Sequence, residues 1–175
     1  MVEDPTPVPN ITVIPPGHRD RSRMEQSQEP AEVEALIAAG EIERVQPDAE
    51  LVGGLLALAE RHLAATAAIA DSDPGGAHTL LFMAAHRAVV AMAEAAGLRT
   101  TSGRRDLTAY EAVHVLLDPG RVQVLDAYAR MHRRRDDLEY GLAIPEPITV
   151  DEVHECTASV REIVELAHQV AGGTL

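Results

Sequence analysis

The sequence predicts an all-α protein, an antiparallel bundle of four to five main helices preceded by a short N-terminal one. Three observations carry this. Apolar residues recur at three- and four-residue spacing through several long segments. Gly, Pro, Asp and Thr punctuate those segments where helices start and stop. No pair of segments combines strict alternation with hairpin-turn residues, so no sheet is expected.

The elements follow in order. Residues 1–28 hold Pro5, Pro7, Pro9, Pro15 and Pro16, and the polar run GHRDRSRMEQSQE follows. That is the composition of a mobile tail, although ITVI at 11–14 is suited to adding as a strand to a partner. The folded domain is expected over 29–171, with a short tail at 172–175. A short helix over about 30 to 39 stops at Gly40, a C-cap signal. Asp48 caps a longer helix to about Ala70, with Leu51, Leu55, Leu58, Leu63 and Ile69 as its apolar side. Pro74 suits a first helical position, and the helix it opens runs to about Ala96 and stops at Gly97. Its stripe is Leu80, Met83, Ala84, Ala88, Met92 and Ala95. The many alanines of these two helices permit close backbone approach.

A polar loop over 98–106 leads to a helix from about Leu107 to Leu117 with Leu107, Tyr110, Val113, His114 and Leu117 at helical spacing. Asp118, Pro119 and Gly120 end it, and a further helix begins near Arg121 with Val122, Leu125, Tyr128 and Met131. Gly141 and Pro145 place its end between Asp137 and Gly141. TVDE at 149–152 is a capping box: the Thr149 hydroxyl accepts from the Glu152 amide and the Glu152 carboxylate reaches back. Val153, Val160, Val164 and Ala167 line the last helix.

Composition excludes several functions. The net charge is −13, from 28 acidic and 15 basic residues, so general nucleic-acid binding is disfavoured while one local basic site stays open. Phe82, Tyr110, Tyr128 and Tyr140 are too few for a base-stacking platform. Apolar runs are interrupted by charges before the ~20 residues that a membrane span needs. No basic-then-apolar leader opens the chain, so a cytoplasmic protein without membrane contact is expected. Cys156 is the single cysteine, which excludes an internal disulfide. The histidines never form an i, i+4 pair, and His154 and Cys156 point to different sides of a helix, so neither metal nor cofactor is expected. The glycines of DPGG and AGGTL lack the Lys and Ser/Thr of a phosphate loop.

One stretch stands apart. In RMHRRRDDLEYG, Arg130, His132, Arg133, Arg134 and Arg135 crowd six positions, and Asp136, Asp137 and Glu139 follow. As plain structure this is a favourable helix end: cations complement the C-terminal dipole, and Arg135 and Glu139 form an i, i+4 pair.

Two stretches carry a family resemblance. They are ERVQPDAELVGGLLALAERHLAATAAIADSDPGGAHTLLFMAAHRAVVAMAEAAGLR, and RRRDDLEYG followed by ITVDEVHECTASVREIVELA. From about Val33 to Ala171 the chain resembles the HEPN superfamily, compact helical bundles that are often homodimers. The resemblance makes the expected all-α architecture a HEPN-like antiparallel helical bundle. Many bacterial members accompany a minimal nucleotidyltransferase in toxin–antitoxin or defence loci. Catalytic members are metal-independent ribonucleases whose motif is Arg, a polar residue, three to five more residues, then His. Paired motifs meet across the dimer, where Arg holds the phosphate and His moves the 2′-hydroxyl proton. The resemblance places Arg135 at the Arg position, Asp136 at the polar position and Tyr140 where His belongs.

A phenol of pKa ~10 is a poor general base at neutral pH, whereas His132, three residues before Arg135, titrates in range but lies on the other side of the motif. On a continuous helix Arg135 and Tyr140 diverge by ~140°, so they converge only if the helix ends near Glu139. Two readings follow. One is a non-catalytic module that dimerises and binds a protein, RNA or a nucleotide through Arg130, Arg133, Arg134 and Asp136. The other is a ribonuclease using Arg135, Tyr140 and His132. A purely structural scaffold is a third.

Overall fold

The computed structural model describes residues 31–101, 105–140 and 146–173. The expected N-terminal tail, with its ITVI stretch, lies outside the described residues. The elements are α1 (Ala31–Ala38), β1 (Ile42–Arg44), α2 (Ala49–Ile69), α3 (Pro74–Ala95), β2 (Leu98–Thr100), α4 (Arg105–Leu116), α5 (Pro119–Val122), a 3-10 turn (Gln123–Leu125), α6 (Asp126–Tyr140) and α7 (Val150–Ala171). The all-α helical bundle expected from the sequence is what the chain forms.

The caps explain where the long helices begin. The Asp48 side chain accepts from the Glu50 and Leu51 amides at 3.0 Å each. Asp73 accepts from the Gly76 amide at 2.9 Å, with Pro74 at the first helical position. Thr149 accepts from the Glu152 amide at 3.1 Å. Each such cap satisfies an orphan donor and contributes ~1 kcal/mol. The reciprocal half of the box at 149–152 does not form, because Glu152 is taken by Arg134 instead.

α3 is the central helix. α2, α4, α6 and α7 all pack against it. Ala77, Ala84, Ala85, Ala88 and Ala91 are fully buried along it, so neighbouring backbones approach closely, as the alanine content implies. Leu81, Val89 and Met92 fill the gaps between them.

Three expectations are corrected. The buried side of α2 is Val52, Leu56, Ala59 and Thr66, about one residue out of phase with the expected leucines, and Leu51 is 38% exposed. Leu and Ala are abundant on every side of α2, so periodicity cannot select a face there. The helix expected from Arg121 is broken into α5, a 3-10 turn and α6. A sheet was not expected, yet β1 and β2 pair antiparallel, with Ile42 opposite Thr100 and Arg44 opposite Leu98. Three-residue strands are too short to show alternation. The ribbon is tertiary in origin: Gly97 turns the chain at φ +75°, and its carbonyl accepts from the Val45 amide at 2.9 Å. Arg99 then clasps the buried Glu94 carboxylate with two bonds of 2.9 Å.

α2 bears on the reading of apolar runs, which its charges interrupt as expected. By length and composition it is apolar enough to cross a membrane, and only 22% of its most apolar window is buried. It is the only such helix among the described residues, and it carries Glu60 and Arg61 at mid-length.

Candidate functional site

α6 distributes the arginine-rich stretch over three sides. Tyr128, Met131 and His132 are buried beneath it. Tyr128 and His132 meet Phe82 of α3, with ring centroids 5.6 and 5.9 Å away. Tyr128 also stacks on Tyr110 of α4 at 5.8 Å, and its hydroxyl lies 3.3 Å from Nδ1 of His86. Three of the four aromatic residues therefore join α3, α4 and α6.

Arg135 lies with its guanidinium carbon 4.9 Å from the Phe82 ring centre and binds Glu139 at 2.9 Å. Both contacts stabilise it where it is. His132 is 8% exposed, and its Nδ1 is 3.2 Å from the Asp136 carboxylate. Phe82 thus brings Arg135 and His132 together. Tyr140 is not brought to them. Because α6 remains helical through Tyr140, that residue lies ~140° around the axis from Arg135. It is also 76% exposed, not packed over the helix end.

Arg134 faces α7. It binds the Glu152 carboxylate at 2.9 Å and the Glu146 carbonyl at 2.8 Å, which fastens α6 to the start of α7. Arg133 and Asp136 are exposed. Arg130 is exposed and forms no ion pair among the described residues. It lines a cleft of about 370 Å³ with Arg134, Glu152, Glu155, Cys156, Ser159 and the buried His78.

The cleft was not legible in advance. His78 follows the cap at Asp73 and falls in phase with Leu81 and Ala85, which is the only sequence sign that it turns inward. Cys156 is half-buried at this cleft, packed against the core. Burial raises the Cys156 thiol above its ordinary value, Glu152 and Glu155 add to this, and Arg130 opposes it. Burial lowers His78; Glu152 partly opposes that shift and Arg134 reinforces it.

The His78 shift sets a pH dependence. The unfolded chain binds the His78 proton more tightly than the folded one, so this contribution is fully present above the ordinary value of 6.5 and is lost as pH falls below it. His62, lowered chiefly by burial, acts in the same direction. The urea midpoint should therefore fall between about pH 7 and about pH 5, and fall less in His78→Gln. An identical fall in that variant would assign the effect to other groups.

Comparison of the chain with protein-family models, curated proteins and solved structures finds no match. Among the described residues, no three His, Cys, Asp or Glu side chains gather to hold a metal ion.

Proposed function

We propose that this chain is a non-catalytic binding module of HEPN type. It forms a homodimer and offers Arg130 and Arg133 as an anion-recognition surface. Its partner is a protein or a nucleotide-bearing ligand, within a toxin–antitoxin or defence setting such as one with a nucleotidyltransferase. One observation carries the reading: α6 stays helical through Tyr140, which turns the residue at the position of the catalytic His away from Arg135. Arg134 and Arg135 are each paired with a carboxylate, which leaves Arg130 and Arg133 as the outward cations of the cluster without one among the described residues. The Asp136 and Glu139 carboxylates temper repulsion between two such surfaces brought together in a dimer.

The ribonuclease reading draws on a different observation. His132 and Arg135 share Phe82, and a carboxylate flanks His132. Near 10% exposure, however, that imidazole is poorly placed to reach a 2′-hydroxyl.

Tyr140→His separates the two. It restores the catalytic signature at an exposed position, so the fold should tolerate it within ~0.5 kcal/mol. Neither wild type nor Tyr140→His should cleave RNA without metal, and the wild type should sediment as a dimer at micromolar concentration. Cleavage by wild type that disappears in Arg135→Ala would establish the enzyme reading instead. Sedimentation as a monomer would remove the shared surface.

A further inference from the structure

The cleft between α6 and α7 lies on a different face of α6 from the Phe82 contacts and reaches the first turns of α3 at His78. It combines three features that the fold does not use. His78 is 2% exposed, and its Nε2 has no hydrogen-bond partner among the described residues. A buried polar atom without a partner costs free energy unless something meets it. Arg130 contributes a guanidinium that no carboxylate of the described chain holds, whereas Arg134 beside it is committed to Glu152. The volume, about 370 Å³, falls within the ~300–1,000 Å³ of small-molecule sites.

Charge selects the ligand. Glu152 and Glu155 stand in the same walls. Arg134 offsets Glu152, so Arg130 alone faces an incoming anion, with Glu155 nearby. A single negative charge can be matched, while a second would meet a carboxylate and a chain of net charge −13. A planar guanidinium fork fits a carboxylate with two parallel bonds.

We propose that this cleft binds a small organic monocarboxylate, with Arg130 holding the carboxylate and the body of the molecule reaching the His78 imidazole. The inference deepens the proposed binding role and rests on it in one respect, that the arginine cluster receives an anion. Cys156 supplies the probe, since it is the single cysteine of the chain and lines the cleft.

The test is the rate at which methyl methanethiosulfonate, an uncharged reagent, modifies Cys156 in the full chain. The rate is measured against rising acetate, lactate, butyrate and benzoate, with inorganic phosphate as the more highly charged control. At least one monocarboxylate should slow modification saturably by about tenfold. Arg130→Gln should abolish that protection. It also slows the unprotected rate, because Arg130 opposes the rise of the Cys156 thiol, so protection is read as the ratio of rates with and without carboxylate in each variant. Arg133→Gln, outside the cleft, should keep it. His78→Gln should weaken protection while the chain stays folded by circular dichroism.

Absence of protection by all four carboxylates, equal protection in Arg130→Gln, or stronger protection by phosphate would each overturn the proposal. The two readings fail separately. RNA cleavage by wild type with Cys156 protection intact removes the non-catalytic reading alone. A non-cleaving dimer without protection removes the cleft alone.

Discussion

Tyr128→Ala should destabilise the domain by about 3–5 kcal/mol, a large part of the ~5–15 kcal/mol that holds a domain folded. Tyr128 is fully buried and touches an aromatic ring on each of two other helices. Truncation removes the ring from water-excluded contact and leaves a void between α3, α4 and α6, which the alanine-rich surroundings have few long side chains to fill. Tyr128→Phe is the control. It keeps the ring and loses the hydroxyl contact to His86, so it should cost roughly 0.5–1.5 kcal/mol. Urea midpoints at fixed pH measure both. A loss below about 1 kcal/mol in Tyr128→Ala would mean that the cluster is not a keystone of the core. The consequence is functional as well, because Phe82 supports Tyr128, His132 and Arg135 together.

That cluster marks the limit of what the sequence reveals. Helix boundaries were legible because caps are local chemistry. Asp48, Pro74 and Thr149 each act within three residues along the chain, and all three begin helices where expected. Val153, Val160, Val164 and Ala167 were placed correctly as the buried side of α7, since polar residues on its other faces leave one choice. α2 offered no such contrast, and its phase was missed. The site was harder still. Arg133, Arg134 and Arg135 are consecutive, yet they meet solvent, α7 and Phe82 respectively. Only the rotation of α6 against its neighbours assigns them, and that rotation is set by Tyr128 and Met131 in the core. The partners of Arg134 stand 12 and 18 residues away, beyond any local rule.

Gly97→Ala should cost about 2–4 kcal/mol, from two separable causes. The first is conformational. Gly97 sits at φ +75°, where a Cβ costs roughly 1–2 kcal/mol. The second is steric. A Cβ there would stand 2.9 Å from the Val45 carbonyl oxygen, a backbone atom that cannot swing aside. The Val45 amide is bonded to the Gly97 carbonyl, so relief of the clash pulls on the ribbon itself. Gly40 isolates the first cause. It has φ +71°, but no described atom stands within 4 Å of where a Cβ would lie, so Gly40→Ala should lose only the conformational part. The difference between the two midpoints measures how firmly β1 is held against the end of α3. Equal losses would show that Val45 moves away freely and that the ribbon is a loose strap. A larger loss at Gly97 makes the ribbon, with the Arg99–Glu94 clasp beside it, a fixed closure of the end of α3 opposite His78.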